Sequence, residues 1–307
     1  LLLFAFVPQF GAEGVWVSVF TAISAFCNAG FDLFGRFGAY SSLVPYVNNY
    51  YVQAVVMFMI MAGGLGFMVW VELAEYRKKR RLSLHAKVVL QFSVIFWVGG
   101  AVLLALLEWS NPRTMGGLSV PGKIMAALFQ SVSTRTAGMN TIDLAACSPI
   151  SKLLMSVLQF IGAAPGSTGG GVKVTTFAVL ILTIRSVAQG RDDCVIGGHH
   201  IESKTVYRAL TIIVIGAVAA FGSAVVVYYN TAETVSVIDC IFESCSAFGT
   251  VGLSVGVTGQ LNTGAKLLYM ACMFMGRVGP VSLAISLTAK PDDNKRKVLP
   301  VGHINVG

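Results

Sequence analysis

The chain has 307 residues, 55% of them hydrophobic and only 12% charged, with a mean hydropathy of +0.74. Soluble domains carry about a quarter charged residues, so the composition excludes a water-soluble globular enzyme and points to a membrane-embedded chain. The net charge of +8, from 22 Lys and Arg against 14 Asp and Glu, then reads as basic residues sorted across a bilayer and not as a nucleic-acid footprint.

In chain order, an apolar stretch begins near Val15 and ends at a glycine, too short to span and suited to a re-entrant half-helix. Run 50–71 carries no charge and is predicted to cross the bilayer as one helix, as are 88–107 and 209–229. Similar half-helices are predicted near Ile124 and Val235. Segment 153–184 is apolar but broken by a glycine-rich stretch with Lys173, and 267–289 carries Arg277 at its centre. Three basic blocks fall on alternate connections: Arg77 to Arg81 with Lys87; Arg185, Arg191, Lys204 and Arg208; and Lys290, Lys295, Arg296 and Lys297. The positive-inside rule places these in the cytoplasm, with the C-terminus, and turns the half-helix loops outward. The six cysteines form no CxxC pair and read as small apolar core residues. The chain opens on Leu1-Leu2-Leu3-Phe4 with no Met before Met57, so an N-terminal portion is expected to be missing.

The half-helices repeat. Phe20 to Phe31, Phe129 to Met139 and Phe242 to Leu253 align on Ser24, Ser133 and Ser246 and on Gly30, Gly138 and Gly252. A descending half-helix points its negative dipole end into the membrane. The extended residues after it can turn carbonyls toward a central axis and replace a cation's water. Glycine permits the positive φ such a turn needs. Three copies favour a cation filter over simple packing.

The motifs TAISAFCNAGF (21–31), FQSVSTRTAGMNTID (129–143), GAAPGSTGGGVK (162–173), FESCSAFGTVGLS (242–254) and MGRVGP (275–280) resemble the membrane subunit of the Trk/Ktr/HKT superfamily of potassium transporters, most closely its KtrB/TrkH-like members, along essentially the whole chain. The resemblance implies an all-α, polytopic membrane fold of helix, pore half-helix and helix units around a central ion pore. Four units are expected in the family and three here. It also implies K⁺ uptake through backbone carbonyls of Cys27, Asn28, Ala29 and Gly30, of Arg135, Thr136, Ala137 and Gly138, and of Gly249, Thr250, Val251 and Gly252. Glycine at the filter position accompanies K⁺ preference in this superfamily. A Na⁺ or Na⁺/K⁺ transporter of the same superfamily is the alternative.

Five glycines, a proline and two hydroxyls in 162–173 cannot form a continuous helix. A phosphate loop fails, because Val172 separates Gly171 from Lys173 where GxxxxGK requires adjacency. The resemblance implies an intramembrane gating loop, with Gly166, Ser167, Thr168, Gly169, Gly170, Gly171 and Lys173 as gate residues. Arg277 at mid-membrane needs partners, and the freed carbonyls of this loop supply them. Arg135 is expected to tie its loop to the carboxylate of Glu243. Glu13, Asp32, Asp143 and Glu233 on outward loops either concentrate cations or are simply solvated. His85, His199, His200 and His303 read as cytoplasmic loop residues. The expected partition is 1–76, second repeat; 77–87, basic loop; 88–190, third repeat; 191–206, cytoplasmic loop; 207–290, fourth repeat; 291–307, cytoplasmic tail. The resemblance further implies a homodimer in the cytoplasmic membrane, seated on a cytosolic ring of nucleotide-binding regulatory (KtrA/TrkA-like) subunits. No cofactor and no nucleic acid are expected, and the lipid bilayer is the remaining partner.

Overall fold

The structure, a computed structural model, describes residues 1–38, 40–190, 194–231 and 234–279. The expectations for Arg191, Glu233, Pro280, Lys290, Lys295, Arg296, Lys297, His303 and the 291–307 tail lie outside the described residues. Long runs of Leu, Ile, Val, Phe and Met offer the backbone no polar side chains, so each amide is satisfied within its own helix. In order these are α1 (Leu3–Phe10), α2 (Glu13–Phe26), α3 (Tyr50–Gly64), α4 (Phe67–Lys79), α5 (Leu84–Glu108), α6 (Val120–Ser133), α7 (Pro149–Phe160), α8 (Val174–Ala188), α9 (Ser203–Asn230), α10 (Val237–Gly249) and α11 (Thr263–Val278). Short polar side chains start many of them: Asn49, Ser83, Ser119, Ser148, Ser236 and Asn262 each accept a hydrogen bond from an amide of the first turn.

Helices α5 and α9, of 25 and 28 residues, are long and apolar enough to cross a membrane. They leave Ile95, Val98, Leu106, Val218, Phe221 and Val225 exposed, the outer surface that hydrocarbon suits. The three predicted half-helices are α2, α6 and α10, of 14, 14 and 13 residues. Each is wedged between longer neighbours: α2 by α1 and α3, α6 by α3 and α5, α10 by α7, α9 and α11. Buried polar ties brace the elements around them. Glu108 is fully buried and accepts from Asn111 Nδ2 at 2.7 Å, Thr114 Oγ1 at 2.7 Å and Ser148 N at 2.8 Å, joining α5 to the start of α7. Lys152 of α7 meets Asp239 of α10 at 2.7 Å.

One expectation fails here. Run 50–71 is not one helix but α3 and α4, bent by 99° at a short break. Gly63-Gly64-Leu65-Gly66 supplies the cause: Gly66 has φ 85°, and the chain of 162–173 passes so close that a Cβ on Gly66 would lie 2.5 Å from Pro165 O. Apolar composition met the requirement for a span, while tertiary contact at the glycines turned the chain aside. The break of 153–184 falls where expected, between α7 and α8. His199-His200 belongs to a two-residue strand pairing antiparallel with Val195–Ile196 instead of a plain loop. No cluster of three metal-ligating side chains occurs among the described residues. Five of the cysteines are buried as expected, and Cys27 is exposed.

Candidate ion site

Each of α2, α6 and α10 ends at its C-terminus in a short loop with the same backbone signature. Asn28, Thr136 and Thr250 have φ of 51°, 75° and 52°, and two residues later Gly30, Gly138 and Gly252 have φ of 74°, 80° and 94°. Ala29, Ala137 and Val251 between them keep negative φ. In an ordinary extended strand successive residues point to opposite faces. Reversing the sign of φ at every second residue cancels that alternation and lets neighbouring carbonyls turn the same way. Non-glycine residues at positive φ are strained and persist only where the surroundings hold them.

The three loops meet. A Cβ on Gly30 would lie 3.0 Å from Ala137 O and 3.2 Å from Gly138 Cα, and one on Gly252 would lie 3.8 Å from Gly138 Cα. Asn28 Nδ2 donates to Thr136 Oγ1 at 3.2 Å across two of them. Glycines widely separated in sequence thus adjoin, and close backbone approach is what excludes a side chain there.

Sequence reasoning missed how each loop is held. Ser24 Oγ donates to Phe31 O at 2.6 Å, Ser246 Oγ to Leu253 O at 2.6 Å, and Ser133 Oγ to Met139 O. The signal was present, since these serines are the aligned column of the repeat. Its meaning was hidden because the bond runs forward, from the helix to the far side of the glycine.

Arg135 does not pair with Glu243. Its guanidinium is buried, lies 5.1 Å from the Phe96 ring centre, and donates through one terminal nitrogen to Gly162 O at 2.7 Å. Glu243 is occupied by its own loop: it accepts from Ser254 Oγ, from Val255 N at 3.0 Å, from Val257 N at 3.1 Å and from Thr258 Oγ1 at 2.9 Å. Residues 252–256 spell G-x-S-x-G, but Ser254 spends its hydroxyl on this carboxylate and is not poised as a nucleophile.

Residues 161–173 leave α7, pass against the start of each of the three loops and return to α8. The neck pairs with itself, Gly162 N donating to Val172 O at 2.8 Å and Val174 N to Ala163 O at 3.1 Å. The tip is bonded outward. Ala164 N donates to Gly64 O at 3.0 Å, Thr168 N to Gly63 O at 3.2 Å and Gly171 N to Gly276 O at 3.1 Å, while Phe67 N donates to Gly166 O at 3.1 Å. Thr168 Oγ1 also reaches Phe26 O at 3.1 Å. Gly169 and Gly170 lie flat against Thr136 and Thr250: a Cβ on either would run into the threonine hydroxyl. Both expected cations are on this loop, Lys173 Nζ donating to Gly169 O at 2.6 Å and Arg277 to Thr168 O. Ser167 Oγ closes a local turn onto Ala164 O at 2.6 Å. A cavity of about 520 Å³ gathers Cys27, Asn28, Thr250, Thr168 and Arg277 on one wall system, so residues named separately from sequence share one space. Of the acids expected on outward loops, Glu13 pairs with Arg36, Asp32 accepts from Phe34 N at 2.8 Å, and Asp143 accepts from Ala145 N at 3.0 Å.

Long apolar helices, a broken pair and three half-helices that end in adjoining loops define a class, the helical membrane proteins. A family profile described as "TrkH: Cation transport protein" matches residues 4–297, and the chain belongs to that family. It is 37% identical over 288 residues to the potassium/sodium uptake protein NtpJ of Enterococcus hirae, covering 93% of this chain and 62% of that protein. It is 34% identical over 302 residues to the Ktr system potassium uptake protein B of Bacillus subtilis, covering 98% of this chain and 66% of that one. The crystal structure of the potassium transporter TrkH from Vibrio parahaemolyticus shares the fold, with a TM-score of 0.72 at 19% identity over 94% of this chain and 62% of the other. The chain thus spans somewhat under two thirds of the length of these relatives.

Proposed function

We propose that the chain is the ion-translocating subunit of a potassium uptake system, with Gly30, Gly138 and Gly252 marking a carbonyl filter and 162–173 forming its gate. The observation that carries this reading is the convergence of three loops with one shared alternation of φ. Backbone oxygens turned toward a common axis offer a dehydrated alkali ion what water did. The residues involved are Cys27 to Gly30, Arg135 to Gly138 and Gly249 to Gly252. Segments 1–76, 88–190 and 207–290 are then successive copies of one helix, half-helix, helix unit.

In the gate, Gly169 and Gly170 pack against the side chains of Thr136 and Thr250, and on this reading they obstruct the path. Arg277 and Lys173 consume the loop's carbonyls and place positive charge where a cation would pass, which raises its barrier. Opening requires the tip of the loop to leave Gly63, Gly64 and Gly276. The basic blocks support a multi-pass placement in the cytoplasmic membrane with the C-terminus inside. A homodimer on a cytosolic nucleotide-binding ring fits the "Ktr system" in the names of relatives, which implies further components. Sodium is the second reading, because the E. hirae relative is named for both ions.

The test is uptake of radioactive rubidium in cells lacking their own K⁺ uptake, with the protein expressed from its complete gene. Uptake that K⁺ competes away is expected. Absence of both rubidium and sodium uptake, with the protein in the membrane, refutes the proposal.

A further inference from the structure

We propose that Ser24, Ser133 and Ser246 are positioning residues that end the row of ion-facing carbonyls at the glycine and thereby set selectivity among alkali ions. This rests on the filter reading above. Each serine grips its loop twice. Its backbone oxygen accepts from the residue before the glycine: Ser24 O from Ala29 N at 2.9 Å, Ser133 O from Ala137 N at 3.0 Å, Ser246 O from Val251 N at 2.9 Å. Its hydroxyl takes the carbonyl of the residue after the glycine, that of Phe31, Met139 or Leu253. Ser246 Oγ also accepts from Gly252 N at 3.2 Å.

The forward reach is unusual for a helical serine. Ser18 and Ser156 in the same protein bond back to the carbonyl four residues earlier, at 2.6 and 2.8 Å. The three loop serines are buried to the same degree as those two, so no water competes for their hydroxyls. Two consequences follow from the geometry. The carbonyl after each glycine points at its own half-helix and is lost to the ion. The strained residues Asn28, Thr136 and Thr250 are held from both ends, which keeps the cage from contracting. A cage free to shrink would accept the smaller Na⁺ as readily as K⁺.

The loop after α6 tests whether this is a common device or a coincidence of alignment. It is one residue shorter from serine to glycine than the other two, and its serine is followed by Thr134-Arg135 where the others have alanine and phenylalanine. The serine nonetheless bonds the same carbonyl, one past the glycine. The bond is therefore kept where the local sequence is not.

The experiment uses the complete protein in cells lacking K⁺ uptake, with Ser24→Ala, Ser133→Ala and Ser246→Ala, the corresponding threonine variants, and membrane amounts measured by immunoblot. The Na⁺ concentration that halves rubidium uptake should fall about tenfold in the alanine variants, with maximal uptake within about threefold. Threonine, which keeps the hydroxyl, should restore it. Ser131→Ala removes a buried serine that bonds Phe96 O and Trp97 O instead, and should leave Na⁺ competition unchanged. Alanine variants with unaltered Na⁺ competition overturn the proposal, as does an equal shift in Ser131→Ala. If the alanine proteins are missing from the membrane, the threonine set decides: an unchanged ratio upholds the assignment and a changed one overturns it. Wild-type protein that moves neither ion refutes the filter reading itself, a distinct outcome.

Discussion

The loops after α2, α6 and α10 and the loop between α7 and α8 are all irregular backbone containing glycine, but they are secured from opposite directions. The first set is bonded mainly to itself: each serine holds its own segment through its backbone oxygen and its hydroxyl. The second pairs with itself only at the neck, and its tip depends on Gly63, Gly64, Phe67 and Gly276 of neighbouring helices and on Arg277. A segment held from within keeps its shape when its neighbours move. A segment held from outside changes when they do. The three loops are therefore braced from within, while the tip of 162–173 is braced by its neighbours, the bend between α3 and α4 among them.

Substitutions can break that contrast or sharpen it. The largest effect is expected from Gly138→Ala, where φ is 80° and a Cβ would meet the Val251 carbonyl; rubidium uptake should fall by about two orders of magnitude. An uptake near wild type would show that the loops do not meet as described. Arg277→Ala removes a charged donor from the tip, and uptake should rise about tenfold in intact vesicles. Lower uptake would assign Arg277 to anchoring instead of obstruction. Thr168→Val deletes only the hydroxyl bond to Phe26 O, and a rise of about threefold is expected, with Na⁺ competition unaltered. The smallest effect is expected at the surface. Glu13→Gln loosens an exposed pair with Arg36, and uptake should stay within about twofold at physiological salt. A larger drop that grows at low ionic strength would make Glu13 a cation-concentrating group.

Much of the candidate site was legible because its signals are local. Glycine and proline density predicted the break between α7 and α8, and the repeated Ser and Gly columns located the three loops. The bend after α3 carried a local signal too, three glycines in Gly63 to Gly66, but an uninterrupted apolar run overrode it. The partner of Arg135 was not legible. A buried cation suggests a carboxylate, and Glu243 was the nearest one in the repeat pattern, yet its oxygens are filled by four donors from residues 254–258. Arg135 instead reaches the Gly162 carbonyl through one terminal nitrogen and lies over the Phe96 ring.

Composition and periodicity by themselves pointed to apolar helices of membrane-protein character and located the half-helices and their glycines, because each depends on residues within one or two helical turns. Only the tertiary structure decided which carbonyls receive the amides of the 162–173 tip, where the chain turns at Gly66, and what Arg135 touches. Those are contacts between residues far apart in the chain, and a free backbone amide carries no record in sequence of the oxygen it will meet.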